Sequence, residues 1–240
     1  KERMEAHLYT VVRVATSHDL AAQIGTDRFF DLVDHEKCLC IRIKKENTLL
    51  QLKQEIWRAT GVRPSSQRLW MWARRQNHTF RPDRPLQMDY DDHVAMMDVK
   101  EDHPPPAGKF QAEIRLYLEP VGCGEGPFDK PAEEAPAPEE EGYPLLDANG
   151  LLLFLKFYEP ATETLTSVGT HVAQMAHTLE DLLPVLKAAK GFPADQHLNV
   201  FEEVEYEPPV RFEPLTPGKS LKECELQSGD ILVFQTHPPQ

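Results

Sequence analysis

Cysteine is scarce in this sequence, and its spacing excludes the common metal and redox motifs. The four cysteines are Cys38, Cys40, Cys123 and Cys224, and no two of them form a CxxC pair. A small secreted scaffold would carry a higher density of cysteines. We therefore expect reduced thiols in a protein of the nucleus and cytoplasm. Cys38 and Cys40 share one face of a predicted strand, where both are expected to pack.

Long apolar runs and catalytic motifs are missing as well. No run approaches the roughly 20 apolar residues that cross a bilayer, and the N-terminus lacks the apolar segment of a signal peptide. The ten histidines show neither an HExxH motif nor a Cys/His metal spacing. We therefore predict no catalytic residue, metal, cofactor or membrane contact. The sequence does not begin with Met, so we expect a piece of a longer protein.

Negative charge is present in excess, but it is unevenly distributed. Residues 1–119 carry 19 basic and 18 acidic side chains, whereas residues 120–147 carry 1 and 8 and residues 148–240 carry 6 and 13. The first half is therefore nearly neutral, and the acidity lies in the middle and the second half. This balance disfavours a uniform nucleic-acid surface and makes a basic partner for the second half plausible.

The two halves repeat one pattern of predicted elements. Residues 48–62 and residues 178–192 match at a constant spacing of 130: each has a Thr cap, a leucine stripe with helical period and a closing glycine. Strands are predicted before and after each helix. Pro184 lies inside the second predicted helix and is expected to distort it. Each half is therefore expected to be a small sheet crossed by one helix, an α+β architecture.

The last predicted strand organises the second half. Ile231 to Phe234 is a continuous apolar run, which indicates a strand buried on both faces in the middle of a sheet. Gly229 and Asp230 form the turn before it. Glu223, Glu225 and Asp230 give this turn an acidic rim, which is the best functional candidate. Composition alone favours the alternative that the rim is a solvated acidic face.

Residues 121–147 are predicted to form a linker. Proline, glycine and glutamate dominate the segment, and such a composition cannot bury enough apolar surface to offset the entropy lost on ordering. We expect an extended acidic, proline-rich spacer between two domains.

Several segments resemble one family. The element order is similar to the ubiquitin-like β-grasp, in which the last strand lies centrally beside the first. Seven segments, in order, resemble the region after the catalytic domain in the herpesvirus-associated ubiquitin-specific protease family: residues 1–9, 68–70, 128–130, 153–160, 181–185, 202–204 and 229–235. Residues 76–82 look more like the plant and algal members.

The resemblance implies two tandem ubiquitin-like β-grasp domains of a deubiquitinating cysteine protease, with the active site outside this chain. Residues 1–7 would end a preceding helix, residues 8–120 would form the first domain, residues 121–147 the linker and residues 148–240 the second domain. The module would contact the catalytic domain and the other ubiquitin-like domains of the parent protein. Whether ubiquitin itself contacts this chain is left open, and a purely intramolecular scaffold is an alternative.

In this family the second ubiquitin-like domain binds Lys/Arg-rich client segments on an acidic surface. By position, Glu225 and Asp230 match acidic residues of the family, whereas Ser228 and Cys224 depart from them. Glu202 and Glu203 match an acidic pair on the neighbouring strand, and Glu225 and Asp230 are both expected to be exposed. Because the third and last strands of a β-grasp are neighbours, these carboxylates are expected to converge on one edge of the sheet. Leu226 or Gln227 is expected to supply part of the apolar contact with a client. The candidate partner-binding residues are Glu202, Glu203, Glu223, Glu225, Gln227, Ser228 and Asp230.

An arginine-rich stretch in the first half offers a second hypothesis. It contains Arg63, Arg68, Arg74, Arg75, Arg81 and Arg84, interleaved with Trp70, Trp72 and Phe80. Arginine and aromatic side chains together can bind nucleic acid by stacking. Core packing of a tryptophan and contacts within the parent protein remain open as alternatives.

Overall fold

We describe the protein from a computed structural model. The structure describes residues 6–22, 32–75, 79–86, 92–99, 113–122, 146–205 and 211–236. The chain divides into two compact units. The first contains Lys1–Thr16, His35–Trp72 and Arg84–Leu146, and the second contains Ser17–Asp34, Ala73–Asp83 and Asp147–Gln240.

The first sheet contains five strands in the order β2-β1-β5-β3-β4. Its strands are β1 (Tyr9–Ala15), β2 (Leu39–Lys44), β3 (Gln67–Arg74), β4 (Phe80–Pro85) and β5 (Glu113–Pro120). β5 runs parallel to β1, and β2 pairs antiparallel with β1. Helix α1 (Ser17–Ala22) follows β1, and helix α2 (Leu49–Thr60) buries Leu49, Leu52 and Ile56 in the core of this sheet.

The second sheet repeats this order as β7-β6-β10-β8-β9. Its strands are β6 (Gly150–Glu159), β7 (Thr164–Gln174), β8 (Leu198–Glu205), β9 (Arg211–Pro214) and β10 (Ile231–Thr236). Helix α3 (Leu179–Lys190) packs Leu182 and Leu186 into its core. In both sheets the last strand lies beside the first and parallel to it. The α+β fold with two ubiquitin-like β-grasp sheets is therefore confirmed.

Both long helices begin and end where the sequence predicts. Thr48 and Thr178 each form a capping box with the residue three positions later. Gly61 and Gly191 close the helices in the left-handed conformation, which glycine adopts without steric cost. Pro184 does not end α3, since the helix continues to Lys190.

The central position of the last strand is also confirmed. Residues 231–234 are all buried, and alternate side chains enter different environments. Leu232 and Phe234 join the core under α3. Ile231 and Val233, on the opposite face, are also buried.

Three elements were not foreseen: α1, β4 and β9. Strands β1–β5 fall within residues 8–120 and strands β6–β10 within residues 148–240, but the contiguous domain limits stay a prediction. Residues 17–34 and 73–83 belong to the second unit by contact. The predicted linker lies mostly outside the described residues, as do most of residues 1–7. The packing expected of Cys40 was wrong: Cys38 is buried, but Cys40 is exposed.

Candidate functional site

The turn before β10 is built by local hydrogen bonds. Ser220 donates its amide and hydroxyl to Glu223 Oε2 at 2.9 and 2.8 Å, and the Glu223 amide donates back to Ser220 Oγ at 3.2 Å. These bonds hold the pKa of Glu223 below its ordinary value. Glu223 is thus exposed but caps its own turn. It is not brought together with the other candidate carboxylates.

Asp230 closes the turn as a buried residue. Its side chain accepts a hydrogen bond from the Gln227 amide at 2.7 Å and forms an ion pair with Arg75. Only 5% of Asp230 is exposed, so the expectation that it is exposed was wrong. Its ion-pair partner Arg75 comes from the segment Ala73–Asp83, which belongs to the same compact unit. A sequence pattern near position 230 carries no signal of a neighbour 155 residues away.

Glu202 lies at the centre of the acidic surface. It is paired across the sheet with Glu213 on β9, and like charges directly opposite each other are destabilising. Burial, followed by Asp230, Glu213 and Glu225, raises the pKa of Glu202 to about 7, while Arg75 lowers it. We call Glu202, Glu213, Glu225 and Asp230 the acidic cluster. The carboxyl groups of Asp230, Glu213 and Glu225 are therefore electrostatically coupled to that of Glu202.

Glu203 points away from this cluster. Its Oε2 contacts Lys156 Nζ at 3.1 Å, and its side chain is only 1% exposed. Burial raises the pKa of Glu203, against the opposing effect of Lys156 and Arg81. Neighbouring residues of a strand face opposite sides of the sheet. The expectation that Glu202 and Glu203 converge on one edge was therefore wrong for Glu203.

The remaining candidates shape the turn. Ser228 Oγ accepts a hydrogen bond from the Leu152 amide at 3.2 Å, and the Ser228 carbonyl accepts one from Arg75 at 2.7 Å. The Gln227 side chain is exposed, so it is accessible to a partner. Leu226 is buried in the core under α3 and cannot supply the apolar contact expected of it. Glu225 is exposed and lies in the left-handed backbone region at φ 60°.

The raised pKa of Glu202 predicts a pH-dependent stability. The folded chain keeps a proton between pH 4.5 and about 7 that the unfolded chain releases, so stability is lost as the pH rises through this window. One pKa unit corresponds to about 1.4 kcal/mol, and solvent screens this partly exposed group. We expect the wild type to lose about 1 kcal/mol more than Glu202→Gln between pH 5 and 8.

Urea denaturation of both proteins across this pH range measures the difference. The subtraction cancels every titrating group that the two chains share. Parallel stability curves for wild type and Glu202→Gln would show that Glu202 titrates normally and that the acidic cluster is not coupled.

Both tryptophans of the arginine- and tryptophan-rich stretch are buried, so neither offers a face for stacking. Trp70 is fully buried and donates to Glu119 at 2.6 Å, and Trp72 is 6% exposed. Arg68 is buried and pairs with Glu119 at 3.0 Å. The nucleic-acid hypothesis needs exposed aromatic faces, so the structure argues against it at both tryptophans.

Two residues of the site carry no signal in the sequence near the acidic turn. Glu213 lies on a four-residue exposed strand, and only its pairing with Glu202 identifies it. Arg75 was grouped with the arginine-rich stretch, for which contacts within the parent protein were one alternative. No sequence signal linked it to Asp230.

Two further features are absent from the part of the chain that the structure describes. Within them, no group of three or more His, Cys, Asp or Glu side chains is arranged to hold a metal ion. No helix in the described part of the chain is long and apolar enough to cross a membrane.

Comparison with known proteins places the chain in a family. The family described as the ICP0-binding domain of Ubiquitin-specific protease 7 matches residues 67–240. Ubiquitin C-terminal hydrolase 13 of Arabidopsis thaliana is 35% identical over 98% of this chain, which covers 20% of that protein. Ubiquitin carboxyl-terminal hydrolase 7 of Drosophila melanogaster is 27% identical over 98% of this chain, which covers 18% of that protein. The chain thus spans about a fifth of the length of these relatives.

Among solved structures, the C-terminal ubiquitin-like domain of mouse tubulin-specific chaperone e is similar at 18% identity and a TM-score of 0.30. The match covers 39% of this chain and 95% of that domain. Residues 67–240 make up more than half of the chain. The chain therefore belongs to the ICP0-binding domain family of ubiquitin-specific protease 7, and it matches a non-catalytic, ubiquitin-like region of these deubiquitinases.

Proposed function

We propose that this chain docks Lys/Arg-rich client segments on the acidic cluster of its second unit, as a non-catalytic module of a deubiquitinating cysteine protease. The active site lies in another part of the parent protein. The module also positions the catalytic and other ubiquitin-like domains, in the nucleus and cytoplasm. The family name attributes binding of ICP0 to the matching domain of its namesake, which supports a protein partner here.

One observation carries this proposal: the pKa of Glu202 is raised to about 7 by burial and by Asp230, Glu213 and Glu225. A carboxylate in that environment is stabilised by an approaching cation, since the cation offsets the repulsion from its neighbours. Glu225 and Glu213 are exposed at the same cluster, so a flexible basic peptide can reach them.

The energies require several simultaneous contacts. One exposed ion pair contributes about 0.2–1 kcal/mol, whereas a micromolar complex needs about 8 kcal/mol. A client must therefore place two or more cations on the cluster and add other contacts, for which the exposed Gln227 side chain is available. Salt weakens such binding by screening the exposed charges.

The test is a calorimetric titration of the 240-residue chain with a Lys/Arg-rich peptide at low and high salt. We expect salt-sensitive binding that Glu213→Lys with Glu225→Lys weakens about 100-fold, since two attractive pairs become repulsive. Asp230 is left unchanged, because its replacement would break the turn.

The matched control is Glu163→Lys with Asp195→Lys. Both residues are exposed, and Glu163 shares the left-handed backbone of Glu225. This control changes the net charge equally and should retain most of the affinity. Equal loss in both variants would mean that the peptide senses only net charge. No binding by the wild type at either salt would favour the intramolecular scaffold instead.

A further inference from the structure

Arg75 already occupies part of the surface proposed for clients. Its Nη1 forms the ion pair with Asp230, and its Nη2 donates to the Ser228 carbonyl at 2.7 Å. The two acceptors therefore bind two different nitrogens of one guanidinium group. They form a small fork-shaped site at the turn before β10.

The geometry of this site distinguishes the two basic side chains. A guanidinium group presents several N–H donors in one rigid plane, so it satisfies both acceptors at once. A lysine ammonium is a compact point charge on a flexible stem and does not reproduce a planar, two-pronged contact. The acceptor pair formed by Asp230 and Ser228 therefore has the chemistry of a guanidinium site.

We propose that the Asp230–Ser228 acceptor pair is a guanidinium site, that Arg75 holds it in the unbound chain, and that an arginine of a client takes it by displacing Arg75. This inference rests on the proposed docking function and names the side chain that the surface selects. Arg75 is then an internal competitor that lowers the affinity for every basic segment and favours those that carry arginine.

The surroundings of Arg75 are compatible with its replacement by an arginine of a client. Its side chain is 27% exposed, whereas that of Asp230 is 5% exposed, so an incoming group approaches from the arginine side. The Arg75 amide donates to the Thr79 carbonyl at 2.8 Å, which holds the backbone while the side chain changes rotamer. The exchange replaces one guanidinium by another and leaves no buried carboxylate unpaired, so the penalty of an isolated buried charge does not arise.

The test uses two peptides of identical sequence except that all basic positions are Arg in one and Lys in the other. Each is titrated calorimetrically into the wild-type 240-residue chain, Arg75→Lys and Arg75→Gln. If Arg75 holds the site for about nine-tenths of the time, its removal raises the apparent affinity about ten-fold. We expect this gain for the Arg peptide in Arg75→Gln, a smaller gain for the Lys peptide, and an intermediate gain in Arg75→Lys.

Arg74→Gln is the control for charge. Arg74 is the exposed neighbour of Arg75 in sequence, so its replacement removes the same charge and leaves Arg75, Asp230 and Ser228 unchanged. It should change the affinity for either peptide less than two-fold, as expected for one screened surface charge. An equal gain in Arg74→Gln and Arg75→Gln would reduce the effect to net charge and overturn the inference.

The remaining outcomes separate the inference from the function on which it rests. Wild-type binding that depends on Glu213 and Glu225 but does not increase in Arg75→Gln leaves the docking function intact and overturns the guanidinium site. Should thermal denaturation show that Arg75→Gln is unfolded, Arg75→Lys decides: affinities equal to wild type for both peptides overturn the inference. Absence of binding by the wild type and by both Arg75 variants overturns the docking function and the inference together.

Discussion

Gly229→Ala is expected to destabilise the second unit by about 2–5 kcal/mol, from left-handed backbone strain of about 1–2 kcal/mol and overpacking of about 1–3 kcal/mol. Gly229 has a φ of +91°, and a Cβ atom there would lie 2.6 Å from Arg81 Cβ and 2.6 Å from the Pro82 carbonyl oxygen. One of these contacts is to backbone, so a rotamer change cannot relieve it. The segment that carries Arg81 and Pro82 must move.

Gly218→Ala is the matched control for this experiment. Gly218 has a similar φ of +76°, but a Cβ atom there would meet nothing within 4 Å. Urea denaturation of both variants separates the two costs, because Gly218→Ala retains the backbone strain without the clash. Hydrogen exchange of residues 79–83 should increase in Gly229→Ala alone. Equal destabilisation of the two variants would mean that the segment does not pack against the turn.

Lys156→Met is expected to lower the free energy of unfolding by about 3–5 kcal/mol above neutral pH, since it leaves a buried carboxylate without its partner. Lys156 is 6% exposed and contacts Glu203 Oε2 at 3.1 Å. Glu203 Oε1 is buried without a hydrogen-bond partner among the described residues. The carboxylate therefore has little other compensation for its burial.

The decrease in the free energy of unfolding caused by Lys156→Met should be smaller at low pH. Burial raises the pKa of Glu203, and Lys156 opposes this shift. Without the lysine the carboxyl keeps its proton to a still higher pH, so the variant is least destabilised below that pKa and most destabilised above it.

A second substitution distinguishes the buried charge from lost packing. Lys156→Met with Glu203→Leu removes both charges and should recover most of the stability, as apolar replacements of buried ion pairs do. Lys222→Met, at an exposed lysine, should change stability by less than about 0.5 kcal/mol. The readout is urea denaturation followed by far-UV circular dichroism. A double variant no more stable than Lys156→Met would assign the effect to packing rather than to charge.

Much of the fold could be predicted because its signals are local. Thr48 and Thr178 cap helices through residues three positions away, and Gly61 and Gly191 end them. The run from Ile231 to Phe234 identified a central strand because a strand buried on both faces does not alternate. The order of the elements then indicated the β-grasp. None of these inferences required a contact between distant residues.

The acidic surface was harder to predict because its chemistry is set by distant residues. Asp230 is buried and pairs with Arg75, which belongs to the same unit although the two residues are 155 positions apart. Glu213 is recognised only through its strand pairing with Glu202. The opposite orientation of Glu202 and Glu203, by contrast, follows from the two-residue period of a strand and could have been predicted. The burial of both Trp70 and Trp72 could not be predicted without knowing the complete sheet.

The second unit is built from three separated stretches of chain, and this affects the order of folding. Ser17–Asp34 and Ala73–Asp83 are synthesised well before β10, yet they belong to the unit in which β10 is the central strand. Contacts between residues so far apart in sequence form slowly, since a long loop must close before they stabilise the chain. During synthesis these early stretches therefore lack their native neighbours until Asp147–Gln240 has been made. Until β10 has been synthesised the second unit is incomplete, and its apolar residues that are not yet buried are the surface on which a chaperone would act.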